Sequence, residues 1–201
     1  MKPRTPKKLP TQARAIERRD KILSAAETLL LEGGPLAVTT TSIAQTAGIP
    51  VGSIYQYFED KDDVISTLYD TAYGEVENEV VAALTTIKPG LGFKDTHEQL
   101  IRAFWQAARA HKSFRPLTRW ANSQRSLWDV TPGPESSLGQ LVIKTLEIAG
   151  VTLPANRHDV MMLTAVTTLS VLIDQAIEED DEAVADALIE EISILLTGYI
   201  G

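Results

Sequence analysis

Between Val51 and Tyr57 the chain gathers a methyl-bearing side chain, a glycine, a hydroxyl, two phenols and an amide within seven residues. A helical reading places Ile54 and Phe58, four apart, on one inward face. It leaves Val51, Gly52, Ser53, Tyr55, Gln56 and Tyr57 on the outer faces or the leading end. Valine methyls can meet thymine methyls. The amide of Gln56 can pair with adenine through two hydrogen bonds, and can equally hold a phosphate or a water. Hydroxyls and phenols reach phosphate oxygens or base edges. A helix made only to fill a core carries aliphatics at such positions.

The elements before this segment explain how it is held. Thr39 has the hydroxyl that can accept from a free backbone N–H at a helix start. Ile43, Ala44 and Ala47 then form one apolar stripe, and the small Ala44 lets a second helix cross closely. Gly48 follows, where a helix end favours positive φ. Ile49 fills the angle, and Pro50 stops the first helix and allows a second from about Val51 to Phe58. Two short helices joined by a glycine turn form a helix-turn-helix, whose second helix enters the major groove of DNA. Thr40 and Thr41, at the start of the first helix, suit phosphate contacts. Lys61 opens a long helix, where its ammonium and the free N–H groups can meet one phosphate. Arg4, Lys7 and Lys8, in the arm MKPRTPKKLP, suit an adjacent minor groove.

The segment resembles the DNA-binding domain of the TetR family of bacterial transcriptional regulators, whose pattern is T-x-x-x-I-A-x-x-A-G-[VI]-x-x-G-[TS]-[LI]-Y-x-[YH]-F-x-x-K. Thr39, Ile43, Ala44, Ala47, Gly48, Ile49, Gly52, Ser53, Ile54, Tyr55, Tyr57, Phe58 and Lys61 stand in register with it, and the likeness runs from about Arg14 to Tyr69. Pro50 stands where the family often has Ser, so one capping hydroxyl is missing. The resemblance implies that Tyr55 and Tyr57 touch phosphates or bases; packing of Tyr55 beneath the recognition helix is the alternative. It also implies a homodimer, an operator of double-stranded DNA with inverted repeats, and an unknown small-molecule effector bound by the larger half.

Charge supports the division. The net charge of −8 is unusual for a DNA binder. Yet residues 1–61 hold nine Lys/Arg against six Asp/Glu, and the remaining residues hold ten against twenty-one. The basic excess lies with the helix-turn-helix, so the asymmetry, and not the total, carries the information. The apolar share of 44% can fill a substantial core. Absence of cysteine excludes disulfides and thiolate metal sites and fits a cytoplasmic protein. No run of eighteen apolar residues is present and the N-terminus lacks an apolar signal core, so no membrane association is expected.

The expected organisation is a flexible basic arm at 1–10, a DNA-binding domain at 11–61 reaching into the helix that starts at 61, and an effector-binding and dimerisation domain at 62–201. Periodicity predicts an all-α fold of about nine helices. They run over 11–32, the two short helices, 61–87, 96–111, 115–128, 135–149, 155–178 and 181–199. Ile16, Ile22, Leu23, Ala26, Leu29 and Leu30 are expected to face inward from the first. Val160 to Ile177 is apolar nearly all round, and the last helix shows two apolar rows. Val184, Leu188, Ile192, Leu195 and Tyr199 form one, Ile189, Leu196 and Ile200 the other. One row can cover the core. The first is taken as the dimer face of a four-helix bundle. Guided by the resemblance, Trp105, Trp120, Asn122, Gln124, Trp128, Met161 and Met162 are candidate effector contacts.

His97, His111 and His158 are scattered and lack metal-ligand spacing. Glu178 to Glu182 reads as a solvated acidic turn. No catalytic triad elbow or nucleotide loop is found, so no cofactor or metal is expected. The reading is a ligand-released repressor. The alternatives are a DNA-binding regulator with no effector and, last, a helical enzyme or carrier.

Overall fold

The computed structural model describes residues 10–88, 90–124 and 135–200. Every regular element among them is helical. Eight are α-helices: α1 Pro10–Gly33, α2 Thr40–Ala47, α3 Lys61–Thr86, α4 Phe93–Ala110, α5 Phe114–Ser123, α6 Ser137–Ala149, α7 His158–Glu178 and α8 Glu182–Ile200. Two shorter 3-10 segments lie at Pro35–Ala37 and Val51–Gln56. With Val51–Gln56 counted as the recognition element there are nine helices, and the Pro35–Ala37 turn was not foreseen. Residues 1–9 of the basic arm, with Arg4, Lys7 and Lys8, lie outside the described residues, as does Trp128, and Pro10, the arm's last residue, opens α1.

The chain divides into two units, Met1–Thr71 and Ala72–Gly201. The division falls within α3 and not at its start. Val64, Ile65 and Leu68, in the first turns of α3, are buried on the side of the first unit. That unit's core also takes Ile22, Ala26 and Leu30 from α1 and Ile43 from α2. Ile16, expected to face inward, is 60% exposed. It lies on the N-terminal turns of α1, well before the buried stretch that starts at Ile22. Gly33 ends α1 where a Cβ would come within 2.7 Å of the Ala37 Cβ, so the chain can reverse only over a glycine.

In the second unit Val80 and Leu84 from α3, and Ile87 just beyond it, pack with Leu100 from α4 into one core cluster. α7 and α8 form an antiparallel hairpin with extensive mutual contact, and α4 lies against α8. α7 buries one face, including Met162, Ala165, Val166 and Leu169, and leaves Val160, Leu163 and Val171 exposed on the other. By length and composition alone α7 is long and apolar enough to cross a membrane. Its apolar residues instead pack on one side into the domain core. α6 ends at Gly150, φ 67°, with the N–H groups of Gly150 and Val151 donating back to Glu147 and Leu146.

Candidate nucleic-acid interface

The first short helix is fixed at both ends by local hydrogen bonds. The Ser42 N–H donates to Thr39 Oγ1 at 3.0 Å and the Thr39 N–H donates to Ser42 Oγ at 2.9 Å, a reciprocal capping box. The Ser42 hydroxyl also donates to the Ala37 carbonyl at 2.7 Å, which ties the helix start to the preceding turn. At the other end Gly48 adopts φ 65°. The Ile49 N–H donates to Ala44 and the Gly48 N–H to Gln45, the bond pair of a Schellman closure.

The recognition element is shorter and tighter than expected. It is a 3-10 segment from Val51 to Gln56, opened by the Ser53 N–H donating to the Pro50 carbonyl at 2.9 Å. Pro50 offers no side-chain cap and Gly52 favours no helix, so six residues do not sustain a longer α-helical run. Ile54 and Phe58 are buried and hold the segment down. The Arg19 guanidinium lies 5.6 Å over the Phe58 ring, a cation–π contact from α1 that the sequence reading did not find.

Val51, Gly52, Tyr55 and Gln56 are exposed, and Ser53 and Tyr57 are half-buried. Tyr55, at 58% exposure, does not pack beneath the segment. Thr41 is exposed and Thr40 half-buried at the start of α2. Lys61 differs from the expected arrangement. The N–H groups of Asp62 and Asp63 donate to Asp60 Oδ1 at 2.8 and 2.9 Å, so the start of α3 is already capped. Lys61 Nζ also lies 3.7 Å from Asp62 Oδ1. The helix end therefore has few free donors for a phosphate, and the ammonium is the group left to make that contact. The sequence held the signal in Glu59-Asp60, because Asp is a preferred capping residue.

Among the described residues, the second unit holds several recesses. One is an apolar cavity of about 60 Å³. Phe93, His97, Leu100 and Phe104 from α4 line it, with Thr145 from α6 and Leu169 from α7 among the others. A cleft of about 210 Å³ lies beside Trp105, and an open groove of about 920 Å³ runs between α3 and α4. None of the described candidate effector contacts lines the apolar cavity. Trp105 instead lines the cleft and donates through Nε1 to Asp186 Oδ1 at 2.6 Å. Met161 and Met162 are buried in the core. The Asn122 amide donates to Glu178 Oε1 at 3.4 Å, and Gln124 donates to Ser123 Oγ at 3.1 Å. Trp120 is half-buried and lines none of the three. Polarity and aromatic character were legible in the sequence, but the side of each helix that meets a cavity depends on how α4, α6 and α7 cross.

The family model for bacterial regulatory proteins of the tetR family matches residues 22–68, and that for the tetracyclin repressor-like C-terminal domain matches residues 94–200. The chain belongs to the TetR family. The family is one of bacterial regulatory proteins. Similar sequences include the HTH-type transcriptional regulator HbdR of Aromatoleum sp. (strain CIB), 35% identical over 44% of this chain and 36% of that protein. The HTH-type transcriptional repressor BepR of Brucella suis biovar 1 (strain 1330) is 45% identical over 31% of this chain and 30% of its own. The HTH-type transcriptional repressor KstR2 of Rhodococcus jostii (strain RHA1) is 34% identical over 48% and 46%. The chain thus spans less than half the length of each of these relatives. A TetR-family regulator of Pectobacterium atrosepticum shares the fold, with TM-score 0.72 and 20% identity over 94% of this chain and 97% of that one.

Burial divides the apolar residues of α8. Ile192 is 0% exposed and packs in the core with Ala185, Ile189 and Leu196. Ile192 therefore does not belong to an outer face, a correction to the expected dimer row. Its position lies about one-sixth of a turn from Leu195, and α8 packs against α4 and α7. Val184 and Leu195 are exposed, and Leu188 and Tyr199 are half-buried.

The acidic turn at Glu178–Glu182 is not simply solvated. Arg109 reaches Asp186 at 2.7 Å and Glu182 at 2.5 Å. Arg115 donates to the Ile177 carbonyl at 2.9 Å and to the Glu179 carbonyl. Arg119 donates to the Glu178 carbonyl and pairs with Asp180 at 2.6 Å. Guanidinium groups from α5 thus satisfy the last carbonyls of α7, while Arg109 of α4 pairs with carboxylates of α8. The Trp105 indole, then Arg109, hold the Asp186 carboxyl below the usual carboxylate range; Arg119, then Arg115, do the same for Asp180. Carboxyls so held stabilise the fold above the ordinary aspartate range, and that contribution is lost as pH falls through their lowered values. Acid titration is expected to shift the Trp105 indole N–H resonance together with the protonation of Asp186. An indole signal that stays fixed through that titration would remove this link.

Among the described residues, no group of three or more metal-ligating side chains comes together. His111 lies 3.1 Å from Glu75, and His158 lies 3.0 Å from Asp159.

Proposed function

We propose that this TetR-family chain is a repressor that binds an inverted-repeat operator as a homodimer and is released by a small-molecule effector in the cytoplasm. The observation that carries the reading is the set of accessible Tyr55, Gln56 and Val51 on a segment pinned by Ile54 and Phe58. These outward groups have no packing role, and together they match the chemistry of base edges and phosphates. Relatives named as repressors support the direction of control. Exposed Val160, Leu163 and Val171 on α7 and Val184 and Leu195 on α8 supply apolar surface for a second copy. A two-fold dimer places two recognition segments about 34–36 Å apart, one DNA turn. Effector binding in the second unit acts through α3, which contributes to both units, and alters that spacing. Coupling of this kind is typically about 1–3 kcal/mol.

Selection from genomic DNA fragments should recover sites with inverted-repeat symmetry, and the neighbouring genes should reveal what is controlled. A single half-site bound as tightly as the full repeat would count against the dimer.

Lys61→Ala should weaken binding by a similar factor across sequences. Its plot of log affinity against log salt should flatten by about one unit. Unchanged slope and affinity would remove Lys61 from the interface. The apolar cavity of about 60 Å³, against the about 300–1,000 Å³ usual for ligand pockets, favours as a second reading a regulator that answers no small molecule, the groove of about 920 Å³ being open to solvent.

A further inference from the structure

One polar atom in the apolar cavity is left over by the fold. His97 lines the cavity from α4 and is 6% exposed. Its Nε2 is buried without a hydrogen-bond partner among the described residues. The ring is held in place by stacking on Phe93, with centroids 5.5 Å apart and planes 4° from parallel. Burial lowers the imidazole pKa to about 4, so the ring is neutral at physiological pH. A neutral imidazole has one donor nitrogen and one acceptor nitrogen. An unpaired buried polar atom is costly, and few groups near it could relieve that cost. The other polar lining residue, Thr145, already donates its hydroxyl to the Leu141 carbonyl at 2.7 Å. No Asp, Glu, Lys or Arg lines the cavity. The half-buried Phe104, Leu138, Leu141 and Ile200 form the part of the lining that can spread to admit a larger molecule.

We infer that the cavity takes a small, uncharged, largely apolar molecule bearing one hydroxyl or carbonyl, and that His97 Nε2 hydrogen-bonds that group. The inference rests on the reading of the chain as a ligand-responsive regulator. A hydroxyl fits whichever tautomer is present, because it can donate to a bare ring nitrogen or accept from a protonated one. A carboxylate or ammonium would lose its hydration in this cavity and meet no opposite charge.

Benzyl alcohol and ethylbenzene provide the test, since they match in size and differ by a hydroxyl in place of a methyl. Calorimetry should show benzyl alcohol binding the full-length protein about tenfold more tightly than ethylbenzene, and benzoate and benzylammonium more weakly than either. The ¹⁵N resonance of His97 Nε2 should move with benzyl alcohol and stay nearly fixed with ethylbenzene. His97→Phe, which keeps a ring to stack on Phe93, should erase the preference. If that variant does not fold, the matched pair and the Nε2 resonance of the unsubstituted protein still decide the matter. Equal binding of the pair, no binding by any of the four, or an Nε2 signal that none of them moves would each overturn the assignment.

Operator DNA separates this site from the wider reading. Benzyl alcohol that shifts Nε2 yet leaves DNA affinity unchanged would support the site and count against effector release. A compound that releases DNA with Nε2 unmoved would overturn the site and leave effector release standing.

Discussion

Leu195→Glu is expected to yield a folded monomer that binds its operator at least about 100-fold more weakly. Leu195 is 51% exposed, so a glutamate there remains hydrated in the single chain and costs little. In a dimer the same carboxylate would be buried without a partner, and 100-fold corresponds to about 2.7 kcal/mol. Ile192→Asp is the paired control, and its outcome should differ. Ile192 is fully enclosed, and an aspartate at that position would unfold the domain, costing more than about 4 kcal/mol of a typical total of about 5–15. Light scattering and circular dichroism of the two variants check both statements. A Leu195→Glu protein that remains dimeric would move the interface to another face. A folded Ile192→Asp protein would contradict its placement in the core.

The second large effect concerns the recognition segment. Phe58→Ala should cost about 3–5 kcal/mol of stability in the first unit. Phe58 is 4% exposed and lies directly beyond the six-residue 3-10 segment. It also carries the ring over which the Arg19 guanidinium stacks. Such a short segment has little helical stability of its own, so its order depends on Ile54 and Phe58. Operator binding should be lost at temperatures where the second unit is still folded. Hydrogen exchange on residues 51–58 would show the opening. Protection there equal to that of the unsubstituted protein would show that Ile54 suffices.

Much of the first unit was legible because its determinants are local. Thr39, Gly48 and Pro50 act on their immediate neighbours, and Ile54 and Phe58 repeat at helical spacing. The structure returns Thr39 as a cap, Gly48 at positive φ, and Ile54 and Phe58 as buried. Where local reading failed, another local group competed for the same donors, as Asp60 does for the N–H groups near Lys61. The second unit was legible only as helices. Which face of α8 is covered depends on the crossing of α4 and α7, so Ile192 could not be separated from Leu195 by periodicity alone. His97 looked like a scattered histidine, because its isolation from other polar groups is a property of packing. The pairing of Arg109, Arg115 and Arg119 with residues 177–186 spans about sixty to eighty positions, as the separations 62, 61 and 77 for three of these contacts illustrate. No short-range pattern announces a pairing of that kind.

The capping of α3 by Asp60 bears on how gene control responds to osmotic change. When a cell loses water its internal salt rises, and each released counterion makes protein–DNA affinity fall more steeply. A helix start that recruits a phosphate adds to that sensitivity, whereas one closed by its own carboxylate adds nothing. In the proposed interface, neutralisation at this helix start would then rest on the Lys61 ammonium alone. For the repressor proposed above, silencing would stay comparatively even across ionic conditions and follow the chemical signal instead.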